Sequence, residues 1–405
     1  MRRRQLLQFS LGAGAGRFLG ANDRVRVGVI GAGNRSNLLI DQLPEQGEIA
    51  AIADCFFSRC EQTASKRGAK WRLHHDYRGL LDQKDIDAVI VGTTDHGRVL
   101  PSIHACQAGK DVYAEKPLTL YVEEGRALVK AARHYKRVFQ VGSQQRSMAM
   151  NRTASEFVRN GGIGRITLVQ GVNYASPQRW AGAPEQPVPE SLDWDMWLGQ
   201  AERRPYHRDL HMRWMSWWDY SGGDMTNWGA HGLDQVQSAL GADDTGPVEF
   251  WPLAEGPPGA IAFRYRNGVE VRLELAERRF EGGAVFTGDK GRMEIVRNNF
   301  RTDPPGMVKQ LPPPEEVQKW RDEVAKWQAK YHMEDWLNCV RTREKPLADV
   351  ETGHRSVTVC HLANITRQLG RRLRWDPERE RFGDREADQL LTRRRRKGYE
   401  LPRLV

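Results

Sequence analysis

The 405-residue chain contains no apolar run approaching the ~18 residues of a membrane-spanning helix, so no helical span is expected. Cysteine is scarce and unpatterned. Cys55, Cys60, Cys106, Cys339 and Cys360 are odd in number and form no Cys-x-x-Cys pair, which argues against a disulfide framework and a zinc site and leaves buried thiols. His74, His75, His211, His354 and His361 show no metal-ligand spacing, so no metal is expected. Internal repeats are absent. Acidic residues are outnumbered, 52 Asp and Glu against 62 Lys and Arg, for a formal charge of +10. Much of the excess sits at Arg2, Arg3 and Arg4 and from Arg393 to Lys397, so it reads as solvated tails, and no nucleic-acid partner is expected.

Hydrophobic residues make up 39% of the chain, enough for real cores, and the length suits two domains. At the N-terminus, Arg3, Arg4, Gln5, Leu6 and Leu7 precede a modest apolar stretch to Gly16 and small residues at Gly20 and Ala21, the features of a twin-arginine export signal. Arg17 interrupts the apolar stretch, and the first strand begins almost directly after Asn22. A basic N-terminus on a cytoplasmic protein is therefore the competing reading. The expectation is a signal over residues 1–21 and a periplasmic location.

From Arg24 to Asp54 a β-branched run (Val25, Val27, Val29, Ile30) breaks at Gly31, Ala32 and Gly33, and Leu38, Leu39, Ile40 and Leu43 then supply a helical apolar face. Pyrophosphate can approach backbone only where side chains are missing, and the helix start offers unpaired N–H groups and a positive dipole end. Gly31 and Gly33, with Asn34 and Arg35 at the helix start, are the candidates for that contact. Ser36 stands where the usual GxGxxG has its third glycine. Asp54 ends the next apolar run, at the distance where an acid receives ribose hydroxyls, and it would repel a 2′-phosphate, which favours NAD over NADP.

Strand-like and helical runs then alternate: Asp87–Val91, Arg98–Ala108, Asp111–Ala114, Val122–Tyr135 and Val138–Gly142. This is the pattern of a parallel sheet covered on both faces, a Rossmann dinucleotide-binding domain over residues 22–145. The loops after its strands share the carboxyl edge with the glycine turn. Thr93, Thr94, Asp95 and His96, then Glu115, Lys116 and Pro117, then Gln144 should face one crevice. Beyond it, Arg165–Tyr174 alternates as a strand, and hairpins are expected within Ala260–Ala276 and about Gly288–Gly291. An α+β domain with a large, mostly antiparallel open sheet is expected over residues 146–375, with helices over Val317–Arg341 and Gly353–Leu369. A basic tail over residues 376–405 would follow.

The stretch from Gly222 to Asp234 opens a helix on which Asn227, His231 and Asp234 share one face at spacings of four and three. With these residues in view, the chain resembles the Gfo/Idh/MocA family of nicotinamide-dependent oxidoreductases, named for glucose-fructose oxidoreductase and inositol dehydrogenase. The likeness runs from Val25 to about Trp375 and rests on the glycine turn, the triplet Glu115-Lys116-Pro117 and the Gly-Gly lead into the helix. It implies that Lys116 touches nicotinamide and the reacting hydroxyl, and that His231 moves its proton. The family's aspartate is Asn227 here. A lone histidine on such a helix is more often packed than chemical, but oxidising a secondary alcohol needs a base, which imidazole can supply.

The resemblance thus implies an enzyme that transfers hydride between NAD(P) and a secondary hydroxyl of a sugar, cyclitol or related polyol. Some relatives instead cleave glycosides through a transient keto-sugar with no net redox change, and Lys116 and His231 would serve that reaction equally. A cofactor-binding protein without catalysis is a third reading, motivated by Asn227 and Ser36. Of the tryptophans at 180, 194, 197, 214, 217, 218 and 228, most should be core and one or two should touch substrate. A homo-oligomer is expected if one face of the second sheet lacks helices to cover it.

Overall fold

The computed structural model describes residues 24–276, 282–320 and 328–403. The arginine-led segment of residues 1–21 lies outside these. So does the middle of the helix expected over Val317–Arg341, flanked by the helices Pro314–Gln318 and Lys330–Thr342.

The first domain is built on six parallel strands, β1 (Val25–Ile30), β2 (Gly47–Ala53), β3 (Arg72–His74), β4 (Ala88–Val91), β5 (Asp111–Ala114) and β6 (Phe139–Val141). Their order is 3-2-1-4-5-6. The chain winds outward from β1 in one direction and then the other, so a crevice opens at the carboxyl ends of β1 and β4, where ligands of such sheets bind. Near-continuous apolar runs such as Ala88–Val91 suit strands covered on both faces, and all four of those residues are buried. The short strand β3 and the helix Tyr77–Leu81 had no clear signal in the sequence: β3 is three residues long with a half-exposed pattern.

The second domain carries eight strands, β7 (Ile166–Val172), β8 (Glu249–Pro252), β9 (Ile261–Arg264), β10 (Glu270–Leu275), β11 (Ala284–Gly288), β12 (Arg292–Val296), β13 (Asn299–Asp303) and β14 (Leu373–Arg374). They lie in the order 13-12-11-7-10-9-8-14, with β7 parallel to β10 and all other pairs antiparallel. One face packs Val169, Phe263, Val271, Phe286 and Ile295 against Leu233 and Val236 of the helix Asp224–Leu240 and Leu362 of the helix Val350–Leu369. The alternate residues, such as Arg272 and Arg292, point outward and are polar, as a half-covered antiparallel sheet requires.

The basic C-terminal stretch is not a solvated tail. Leu391 is buried in the second domain's core, Arg395 pairs with Glu124 on the helix Val122–His134, and Arg396 pairs with Asp195. Arg393 donates to the Asp219 carbonyl at 2.8 Å and lies over the Tyr121 ring. Residues 391–401 therefore form a strap across the first domain, and only Arg394 and Lys397 of the basic run are exposed.

Candidate active site

The glycine turn takes the shape its sequence demands. Gly31 has φ +93°, and a Cβ there would meet the Gly92 and Thr93 backbone at 3.0 Å, so only glycine fits. A Cβ at Gly33 would meet nothing within 4 Å, so its missing side chain leaves open space at the start of the helix Asn34–Asp41, whose first turn has no side-chain cap. That is the opening an anionic pyrophosphate requires. Ser36 is fully buried, and its Oγ lies 3.4 Å from the Gly92 carbonyl, so a small residue does suffice where the third glycine is usual. The Asp54 carboxylate accepts from Ala32 N at 2.6 Å and Phe56 N at 2.7 Å, which fixes it beside the turn with lone pairs still available to hydroxyls.

These residues line one cavity of about 810 Å³, which also holds Asn34, Arg35, Thr93, Thr94, Asp95, Glu115, Lys116, Pro117, Gln144, Asn227 and His231. His96 is the exception among the expected contacts. Its ring is turned away into an aromatic cluster, with Nε2 2.7 Å from the Trp197 carbonyl and Trp197 and Tyr220 rings at 4.9 Å. Burial pushes its pKa down to about 3, and it is a packed structural residue. Asp234 is likewise drawn off the expected polar face: Arg146 pairs with it at 2.8 Å and Ser356 donates to it at 2.7 Å, outside the cavity.

Several contacts hold the loops in place. Arg98 donates to the Thr93 carbonyl at 2.6 Å and to the Pro117 carbonyl, joining the loops after β4 and β5. Asp95 accepts from Ser221 Oγ at 2.8 Å, and Ser221 in turn accepts from Gly223 N at 3.0 Å, which ties the first domain to the lead of the helix Asp224–Leu240. Gly223 has φ +70°, and a Cβ there would strike the Pro177 backbone at 2.7 Å. Glu115 accepts from Arg35 Nε at 2.7 Å. The Gln144 Oε1 is buried and accepts no hydrogen bond from the described residues, as suits an acceptor waiting for an amide such as the nicotinamide carboxamide.

At the domain junction Lys116 Nζ donates to Asn227 Oδ1 at 2.7 Å and to the Asn227 carbonyl at 3.2 Å. Burial lowers the Lys116 pKa to about 8, helped by Arg35 and Arg297 and opposed by Glu115 and Asp95. His231 is buried, and burial together with Arg297, Lys116 and Arg35 drives its pKa well below the usual imidazole value. Arg297, on the turn between β12 and β13, sets Nη2 3.4 Å from His231 Nε2. A guanidinium only donates, so that contact makes Nε2 the acceptor and leaves the proton of the neutral ring on Nδ1.

Two cavity contributors lay beyond the motifs, His211 and Tyr399, as did Arg297, which reaches the site through His231. His211 is buried, with neither ring nitrogen partnered among the described residues. Each reaches the site from a turn or short segment without local periodicity. Of the tryptophans, Trp197 and Trp214 line the cavity.

Two family models cover most of the chain: "Oxidoreductase family, NAD-binding Rossmann fold" over residues 25–143, and "Oxidoreductase family, C-terminal alpha/beta domain" over residues 157–401. The chain belongs to the Gfo/Idh/MocA oxidoreductase family. Its Rossmann half is this family's NAD-binding domain, and the glycine turn, Asp54 and Gln144 fit that cofactor. Among curated Gfo/Idh/MocA relatives, inositol 2-dehydrogenase 3 of Saccharopolyspora erythraea is 34% identical over 185 residues, 43% of this chain and 53% of the relative. Levoglucosan dehydrogenase of Pseudarthrobacter phenanthrenivorans is 31% identical over 113 residues, 28% of each chain. The chain thus spans at most about half the length of these relatives. The WlbA dehydrogenase of Bordetella pertussis, solved with NADH and UDP-GlcNAcA, shares the fold at a TM-score of 0.64 and 21% identity, over 88% of this chain and 99% of that one. A levoglucosan dehydrogenase solved with NADH and L-sorbose does so at 0.62 and 17%, over 87% and 99%.

Proposed function

We propose that this protein is an NAD-dependent dehydrogenase acting on a secondary hydroxyl of a sugar, cyclitol or related polyol. The observation that carries the reading is the Lys116–Asn227 contact, which sets a lysine with a pKa of about 8 at the junction of the two domains, beside a neutral His231. The cofactor, when bound, supplies the hydride acceptor. Lys116 in its neutral form takes the hydroxyl proton on Nζ, and the resulting ammonium is held by Asn227 Oδ1. His231 orients the hydroxyl. Its conjugate acid is disfavoured by burial first and then by three nearby cations, so it acts as a hydrogen-bonding group rather than the proton sink that the sequence suggested.

The inositol and levoglucosan dehydrogenases among the relatives favour net oxidation over glycoside cleavage. The test is NADH formation from NAD across inositols, aldoses and anhydrosugars. Bound NAD with no NADH formed from any of them would overturn the reading, and release of an aglycone without NADH would replace it. Two further parts of the reading are export through the twin-arginine-like residues 1–21, tested by fractionation for the protein in the periplasm, and a homo-oligomer formed over the outward sheet face, tested by light scattering.

A further inference from the structure

The cavity that holds Asp54 and the glycine turn is roofed from outside the first domain by residues 191–215, including Met196, His211 and Trp214. One edge of this roof is stitched to the first domain immediately after Asp54: Phe57 N donates to the Ser191 carbonyl at 2.9 Å, and Asp193 N to the Cys55 carbonyl at 2.8 Å. The C-terminal strap fastens the same stretch two residues further on, across the short helix that Asp193 caps. Arg396 donates Nη1 to Asp195 Oδ1 at 2.6 Å, Nη2 to the Asp195 carbonyl at 2.9 Å and Nε to the Gly199 carbonyl at 2.7 Å. A turn from Arg396 returns Tyr399 under its own guanidinium, 4.9 Å from the ring centroid, and Tyr399 forms part of the cavity wall together with Tyr77. Both ends of the strap are anchored, Leu391 in the second domain's core and Leu401 against the first domain's.

We infer that the strap is a latch for the cofactor, with Arg396 and Tyr399 as cofactor-retaining residues. Tyr399 walls the adenosine side of the channel, the side defined by Asp54 and Tyr77 at the ends of β2 and β3. Arg396 keeps the roof shut over it. His211 lines the underside of the roof, its ring packed among Phe56, Trp194, Trp197 and Tyr206, so the roof is a rigid aromatic piece that moves as one. A ligand beneath this roof can leave only when the latch opens, so the dissociation rate reads the latch directly.

The test reads cofactor alone and is independent of which hydroxyl is oxidised. NADH is bound to the full-length protein, chased with excess NAD, and its dissociation followed by fluorescence in wild type, Arg396→Ala, Tyr399→Ala and Tyr399→Phe. Losing the charge-assisted fastening should raise the off-rate about tenfold in Arg396→Ala. Tyr399→Ala should raise it too, whereas Tyr399→Phe, which keeps the wall and loses only the long 3.5 Å contact of the hydroxyl with Asp195, should stay within twofold of wild type. Arg371→Ala removes an ion pair to Asp384 outside the cavity and should leave the off-rate unchanged. Should Arg396→Ala not fold, Asp195→Asn removes the charge of the exposed partner and should raise the off-rate by a smaller factor, about threefold, because Arg396 keeps its bonds to the Asp195 and Gly199 carbonyls. Off-rates within twofold of wild type in Arg396→Ala, or its Asp195→Asn substitute, and in Tyr399→Ala, with only the melting temperature lowered, would overturn the latch, as would an equal rise in Arg371→Ala.

Discussion

Around the domain junction, burial pushes Lys116 in the cavity and Arg297 beside His231 below their ordinary pKa values, to about 8 and about 10. At the junction of the helices Val122–His134 and Val350–Leu369 the outcome is reversed. Arg126 is held above its ordinary value by the hydrogen bonds it donates to the carboxylates of Glu380 and Glu351, which it meets at 2.7 Å each. His354 and Arg355 complete that cluster. Basic residues are gathered in both places, but in the cluster each cation has a carboxylate, whereas Lys116 is given an amide. The cluster holds the domains together. The cavity leaves a lysine able to lose its proton near neutral pH.

The largest expected effect breaks the cavity side of this contrast. Lys116→Ala should lower kcat and kcat/KM together by ~10² to 10⁴ while NADH affinity changes little, because the proton acceptor acts only in the chemical step. His231→Ala should cost less, since a neutral imidazole gives one hydrogen bond rather than proton transfer. Steady-state kinetics with separate fluorescence titration of NADH check both.

Breaking the junction side should leave chemistry intact and cost stability. Glu380→Gln leaves His354 facing a neutral amide and Arg126 with Glu351 alone, for a loss of about 2 kcal/mol, read as a lower melting temperature with near-normal kcat. Burial acts to raise the pKa of Glu351 and Glu380, but hydrogen bonds from Arg126 win and hold Glu351 at about 2 and Glu380 lower still. Depressed carboxylates stabilise the fold above the ordinary value of 4.5, and the contribution fades as pH falls through their folded values. The gap in melting temperature between wild type and Glu380→Gln should therefore be full at neutral pH and narrow below about 4.5.

Asn227→Asp sharpens the comparison by importing the junction's arrangement into the cavity. A carboxylate at the position of Oδ1, which receives Lys116 Nζ at 2.7 Å, would favour the ammonium and raise the lysine's pKa by about one unit or more. With wild type, the rate of oxidation should rise with pH through about 8, as Lys116 becomes neutral. In the variant that limb should move to higher pH, leaving less activity at pH 7. A pH–rate profile of kcat/KM that does not move would remove Lys116 as the base.

The cofactor half of the site was legible because its chemistry is written locally. Gly31, Gly33 and Asp54 stand at fixed distances around one strand–turn–helix, and Lys116 directly follows a strand whose bounds the apolar run Asp111–Ala114 marks. The direction of a side chain at a strand end carries no such signal, which is why His96 was placed in the crevice with Thr93 and Asp95 although its ring packs against Trp197 and Tyr220. The second sheet's strands and hairpins showed in their alternation, but its one parallel pair, β7 with β10, did not, since six elements of the fold lie between them. Ion pairs are the least legible. Arg126 meets Glu351 across 225 positions, and Arg396 meets Asp195 across 201, with nothing periodic to mark either. A run of basic residues is locally the same whether it is solvated or, like residues 393–396, partly committed to acids elsewhere in the chain.

The smallest expected effect concerns Asp54, a carboxylate that belongs to neither side of the comparison because it is paired with backbone rather than with a cation. Ala32 N and Phe56 N hold it at 2.6 and 2.7 Å. It is therefore fixed at the edge of the adenosine side, where it can accept ribose hydroxyls and repel a 2′-phosphate. Arg59 and Lys66 line the same side of the cavity, so positive charge able to meet a phosphate stands close by. Asp54→Asn keeps the size and one acceptor oxygen while removing the charge, and it should weaken NAD binding by less than tenfold while tightening NADP binding, so that the preference narrows from both directions. Calorimetry with the two cofactors on wild type and variant measures it. An unchanged ratio of affinities would mean that Asp54 serves only to fix the turn through Ala32 and Phe56, and that discrimination between the cofactors resides with the neighbouring cations.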